Sequence, residues 1–168
     1  ETVASEFYDW QFSFAPTRTF FERHAAKRGM PVSVIRQHLE KTQADYYRSL
    51  FTGAREGYGV AYFERRLKIG QVHDRINLPF KWYMGSYTEF HHLTMKHLRK
   101  SFPLRSSYIA SIEAALLKVF NLDMQAVGDS FLMSTLESMG MDVGTLPSQT
   151  HTDNTEHIEI IKDQLRVL

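Results

Sequence analysis

Apolar residues along this chain recur at spacings of three and four, the repeat of helices that turn one face inward. No stretch shows the strict alternation between turn residues that marks a strand. The pattern predicts a first helix over Thr2 to Phe14 with Val3, Phe7 and Trp10 on one stripe. Ala15-Pro16-Thr17 stops it, and a short helix follows over Arg18 to Lys27, carrying Phe20 and Phe21. Gly29-Met30-Pro31 breaks the chain again, and Ser33 is placed to cap a helix that runs to Phe51 through Ile35, Leu39, Tyr46 and Leu50.

Thr52-Gly53 through Gly57 reads as a polar loop. The next helix, Ala61 to Arg75, carries Leu67, Ile69, Val72 and Ile76 as its apolar positions. Asn77 to Pro79 ends it, and proline favours the start of the helix that follows. That helix, Phe80 to Lys100, holds Trp82, Tyr83, Tyr87, Phe90 and Leu98. After a connection over Ser101 to Ser106 comes the longest helix, Ser107 to Met139. Gly140 to Asp153 has the composition of a linker. Ile158, Ile161, Leu165 and Leu168 beyond it are spaced as a short heptad seam. The expected architecture is all-α, with a domain over residues 1–140 and a linker with the start of a helical connection over 141–168.

Composition narrows the chemistry. Twenty basic residues against nineteen acidic ones leave a net charge of +1 over 168 residues, which offers no argument for nucleic acid or an anionic membrane. The chain has no cysteine, so disulfides, thiolate catalysis, cysteine-type zinc sites and covalent attachment of a haem through cysteine are excluded. No apolar run approaches the roughly 20 residues that span a bilayer, and no signal-peptide pattern opens the chain. The default expectation is a cytoplasmic protein. The first residue, Glu1, leads us to expect that the natural start lies upstream.

The most informative string is Arg66-Leu67-Lys68-Ile69-Gly70-Gln71-Val72-His73-Asp74-Arg75-Ile76-Asn77-Leu78-Pro79, followed by Phe80-Lys81-Trp82-Tyr83-Met84-Gly85-Ser86-Tyr87. His73 falls near the end of a helix with Ile69 and Ile76 at helical spacing. Such a histidine can offer neutral imidazole to a buried metal, or serve as a hydrogen-bonded structural residue. On the residues alone both readings stand. The string as a whole resembles the proximal segment of the globin-coupled sensors, a family that includes aerotaxis transducers and globin-linked diguanylate cyclases. Their pattern joins a histidine and an Ile-Gly-Leu-Pro-like turn to a Lys-Trp-Tyr-x-Gly helix start. Asn77 stands where glycine is common, and asparagine also tolerates left-handed backbone angles. Ser5-Glu6-Phe7-Tyr8-Asp9, Tyr46-Tyr47-Arg48-Ser49-Leu50-Phe51-Thr52-Gly53 and Asn121-Leu122-Asp123-Met124 resemble three further segments of that family. The likeness covers Thr2 to Met139.

The resemblance implies a sensor-type globin fold that binds haem b, with His73 as the proximal iron ligand and the opposite face free for O2, CO or NO. It assigns Tyr8 to the distal side as a donor to bound gas, with a core aromatic as the alternative. Leu39 would form an apolar distal wall. Thr42 is the second distal candidate, or bonds its own backbone as helical threonines do. Tyr83 either hydrogen-bonds His73 and orients its ring or simply packs. Ile69 and Phe21 complete the residues expected to bind the cofactor. His38 is a conceivable sixth ligand, opposed by the inward orientation of its neighbour Leu39, because adjacent helical positions point about 100° apart. Of the other histidines, His92 pairs with Lys96 at helical spacing in solvent or at a subunit contact, and His24, His151 and His157 read as surface residues.

Two departures from the family pattern bear on the distal side: a longer stretch around Glu22 to Val32, and no opening helix before Thr2. The family's dimer packs its last two long helices into a four-helix bundle, which here points to Tyr87, Phe90, His91, Thr94 and Met95 with apolar residues of the last helix. Those residues read equally well as intramolecular core. The functional expectation is a non-enzymatic oxygen-sensing input domain that passes a conformational signal to a C-terminal output module. A free-standing oxygen-binding or nitric-oxide-detoxifying globin, or a haemless helical interaction domain, are the alternatives.

Overall fold

Chain stops, more than helix propensity, set the element boundaries. A computed structural model of the protein describes residues 1–141, and among these it has six helices and no strand: α1 (Thr2–Ser13), α2 (Ala15–Lys27), α3 (Val32–Arg55), α4 (Val60–Arg75), α5 (Phe80–Ser101) and α6 (Ser106–Ser138). This is the all-α architecture expected. The linker over Gly140 to Asp153 and the heptad positions Ile158 to Leu168 lie, apart from Gly140 and Met141, outside the described residues, as do His151 and His157.

Three helices end on the same device. At α2 the Met30 N–H reaches the Ala25 carbonyl and the Gly29 N–H that of Ala26, with Gly29 at φ +62°. At α4 the Leu78 N–H reaches His73 and the Asn77 N–H reaches Asp74, with Asn77 at φ +55°. At α6 the Met141 and Gly140 N–H groups reach Leu136 and Glu137, with Gly140 at φ +77°. This paired closure needs one left-handed residue, which glycine supplies freely and asparagine at modest cost. The tolerance expected of Asn77 is therefore put to use.

Three boundaries differ from the sequence reading. Ala15-Pro16-Thr17 opens α2 rather than only stopping α1: Phe14 is the extended joint, and Pro16, which has no N–H to lose, sits in the first turn. Ser33 lies inside α3, whose first amides are taken by the Pro31 carbonyl. The helix then continues through Thr52-Gly53 to Arg55, because Gly53 is packed tightly under the Tyr62 ring and serves there as a small residue, not a breaker.

The chain divides into two compact units, Glu1–Thr52 with Ser86–Ala110, and Gly53–Gly85 with the chain from Ser111. In the first unit α1 packs against α2. Ala4, Phe7, Tyr8 and Gln11 form the buried stripe of α1, while Trp10 stays 42% exposed, so the stripe runs one position away from the Val3-Phe7-Trp10 line expected. Phe7 meets Phe90 with ring centroids 4.2 Å apart, and the Tyr47 hydroxyl is 2.6 Å from that of Thr94. Leu93 and Met95 are buried in the same core. Ion pairs tie the helices outside it: Arg36 bridges Asp9 (2.6 Å) and Glu40 (2.7 Å), and Glu6 holds Lys96 (2.9 Å) and His97 (3.2 Å).

In the second unit the buried face of α4 is Tyr62, Phe63, Arg66 and Gly70, and not the Leu67-Ile69-Val72-Ile76 set expected; Val72 is 49% exposed. A polar and a small residue occupy the core positions. Arg66 Nε donates to Asp123 Oδ1 of α6 at 2.9 Å, with both side chains almost wholly buried, and its guanidinium lies 3.8 Å from the centroid of the Tyr62 ring. Gly70 lets α4 press onto the α6 backbone: a Cβ there would fall 2.6 Å from the Val127 carbonyl oxygen and 2.7 Å from the Phe131 nitrogen. Ser130 donates to the Leu67 carbonyl beside this crossing.

These contacts give three stability predictions, each read by chemical unfolding. Gly70→Ala lowers stability by about 1–3 kcal/mol, because backbone cannot yield to the added methyl. Gly85→Ala, where an added Cβ has open space inside α5, instead raises it by about 0.5–1 kcal/mol. Arg66→Met alone costs about 3–5 kcal/mol by stranding the Asp123 carboxylate, and Arg66→Met with Asp123→Leu recovers most of that loss. A double variant as unstable as the single one would show that the pair is not the source of the cost.

Candidate functional site

His73 is placed by the end of α4. Its carbonyl accepts the longer of the two closing bonds, from Leu78 at 3.0 Å, so the backbone of the histidine is held by the turn that follows it. Burial of the ring strips water from the charged form and pushes its pKa down to about 4. The Ile69 carbonyl one turn back offsets this in part, without a well-formed hydrogen bond: Nδ1 is buried and has no partner. The side chain is therefore a neutral imidazole at physiological pH, the form that binds metals. Tyr83, buried on α5, meets it as a packed ring, with centroids 5.1 Å apart and planes tilted by 46°. Ile69 is half-buried on the same helix.

A second group of expected residues lies in the first unit. Tyr8 is buried, its ring 6.1 Å from that of Phe21 in an edge contact. Its hydroxyl makes no hydrogen bond to the described residues. Burial first, and the Glu40 carboxylate second, hold the phenol well above its usual pKa, so it keeps its proton. A protonated phenol with no internal acceptor is a donor in search of one. Leu39 is half-buried; Thr42 is exposed and donates to the His38 carbonyl at 2.8 Å, the backbone-bonded alternative weighed for it.

The remaining histidines divide by environment. His38 and His92 are exposed, and His97 pairs with Glu6. His24, expected at the surface, is half-buried and stacked on Phe20, and desolvation lowers its pKa. Among the residues considered for a subunit contact, Phe90, Thr94 and Met95 are buried in the core of the first unit, which leaves Tyr87 and His91 half-buried.

Some residues around His73 escaped the sequence reading. Asp74 accepts hydrogen bonds from the hydroxyls of Ser134 (2.8 Å) and Thr135 (2.8 Å) on α6. The only sequence signal for this was the recurrence of hydroxyl residues at 130 and at 134 and 135, about one helical turn apart on α6. Among the described residues no group of three or more histidine and carboxylate side chains could hold a bare metal ion. A macrocycle that brings its own four donors needs only one protein ligand, and one buried neutral histidine meets that requirement.

Comparison with known proteins shows the family. The protoglobin family pattern matches residues 1–135, which runs from α1 through nearly all of α6. The heme-based aerotactic transducer HemAT of Halobacterium salinarum is 29% identical to the chain over 91 residues, covering 54% of this chain and 16% of the transducer. The chain thus spans a small part of that relative's length. No solved structure matches significantly. With the family pattern extending over most of its length, and with the ordered motifs around Tyr8, His73 and Tyr83 that first pointed to the globin-coupled sensors, the chain belongs to the protoglobin family.

Proposed function

We propose that this chain is a haem-based gas-sensing domain that binds dioxygen and passes a conformational signal to a C-terminal output module. The observation that carries the reading is His73: a half-buried side chain whose Nδ1 is buried without a well-formed hydrogen bond, kept neutral by desolvation, and on the motif position of the proximal ligand. Family membership and the likeness to HemAT, a heme-based aerotactic transducer, support it. The cofactor is haem b, since a chain without cysteine cannot hold the group through thioether bonds. When bound, it would supply an iron able to take a diatomic gas: O2, CO or NO.

The protein's own residues do the rest. His73 would hold the iron, and the closed turn over Ile76-Asn77-Leu78 fixes the backbone from which it projects. Ile69, Leu39 and Phe21 are the further positions that the family resemblance assigns to the cofactor. Tyr8, a protonated phenol, would offer a hydrogen bond to a polar diatomic ligand, from which dioxygen would gain more than the less polar CO. Thr42 is a weaker second donor, reached only by giving up its bond to His38. The domain catalyses no reaction itself. It works as a homodimer through its last two long helices, with Tyr87, His91 and outward apolar residues of α6 as contributors, and it needs neither nucleic acid nor membrane. No described helix is long and apolar enough to cross a bilayer.

The first test is the visible spectrum of the dithionite-reduced protein before and after CO and oxygen. A sharp haem band that moves with gas in the wild type, and is lost or weakened in His73→Ala, is the expected result. No band even after reconstitution with hemin removes the reading. The second test concerns Tyr8→Phe, which raises the oxygen off-rate about tenfold or more, the worth of a hydrogen bond to a charged acceptor, and changes CO release far less. Because burial holds the phenol above its usual pKa, the wild-type oxygen off-rate stays flat as pH rises to about 10. A rise in off-rate below that point would show that the donor had ionised.

A further inference from the structure

Asp74 is the penultimate residue of α4, where the carbonyl ends of a helix repel negative charge. Its place there does nothing for the helix, so its partners must account for it. It accepts one hydrogen bond on each oxygen, Ser134 to Oδ2 and Thr135 to Oδ1, and both donors stand in the last full turn of α6. The Thr135 hydroxyl has a single proton and two acceptors within reach: Asp74 Oδ1 at 2.8 Å and the Phe131 carbonyl of its own helix at 2.9 Å. If α4 withdraws, Thr135 turns to Phe131 and loses no hydrogen bond. The Thr135 half of the contact can therefore open without losing its donor's hydrogen bond and close again in one geometry, while Ser134 and Asp74 must exchange theirs for water. It lies immediately after His73 on one side and three residues before Ser138, the end of α6, on the other.

We propose that Asp74, Ser134 and Thr135 form a releasable clasp that carries the state of the His73 turn to the C-terminal end of α6. This rests on the haem-sensing reading above. The tight crossing at Gly70 is the pivot, one turn before the clasp, so a small displacement of the histidine end of α4 concentrates at Asp74. A ligand moves such an equilibrium only by binding its two states unequally. The same coupling must then act in reverse, so opening the clasp by mutation shifts gas affinity by the factor with which gas opens the clasp.

The absence of native cysteine makes the test direct. In the full 168-residue chain, Met139→Cys carries a single nitroxide spin label at an exposed position just beyond α6. Its spectrum is recorded for the haem-loaded ferrous protein with and without CO. The expected result is a label mobility that changes with CO in the parent, and loses at least half of that change in Thr135→Val and in Asp74→Ala. Thr135→Ser, which keeps the hydroxyl, and Ser138→Ala, which never touches Asp74, retain it. Oxygen affinity in Thr135→Val shifts by about fivefold or more. A parent whose haem band moves with CO while its label does not respond overturns the proposal and leaves the sensing reading intact. So does a response undiminished in both clasp variants. A parent with no haem band removes the reading itself and the clasp with it.

Discussion

The crossing of α4 and α6 at Gly70 is the constraint on which the second unit depends. Two helix backbones meet there with no room for a side chain, and that proximity sets where everything else on α4 must go. It brings Arg66 within reach of Asp123 on one side of the crossing and Asp74 within reach of Ser134 and Thr135 on the other. The buried ion pair would be a poor source of stability by itself, since desolvation consumes most of its attraction. Its use here is in register: only one alignment of the two helices satisfies both charges. A helix so aligned presents His73 at a fixed position in its last turn.

That last turn is closed by a bond to the carbonyl of the histidine itself. The ring gains nothing from the closure, but its backbone does. Rotation of the residue would break the Leu78 contact and force Asn77 out of the left-handed region. Pro79 then prevents the chain from continuing as helix and lets α5 begin at once, so that Tyr83 arrives one turn later against the imidazole. Motif residues that look like a string in sequence are thus a turn, a stop and a packing partner in space.

Much of the fold was legible in the sequence because its punctuation is strong. Gly29, Asn77 with Pro79, and Gly140 mark three ends by their backbone demands alone. Less legible were positions where a residue type served two purposes. Gly53 and Gly70 read as breakers or fillers, yet both are places where another group presses close. The core stripe of α4 was missed because it runs through Arg66 and Gly70, neither of which hydrophobic periodicity counts. Trp10 misled in the opposite direction: a large apolar residue at helical spacing, it stands in solvent while Gln11 is buried. On the site, the neutral state of His73 follows from burial that only coordinates reveal. The unbonded hydroxyl of Tyr8 is likewise a matter of what lies around it. The Asp74 contact joins residues sixty positions apart, beyond the reach of any local pattern.

The dependence of the proposed cofactor on the single side chain of His73 also has a bearing on how the protein comes to be made. A cofactor that binds only the folded state adds stability that grows with the logarithm of its free concentration once that exceeds the dissociation constant. Newly synthesised chain that has not met such a cofactor would be the less stable population and the first to be cleared by proteolysis. The amount of this protein a cell maintains would then follow its supply of the proposed cofactor, with no separate control over synthesis.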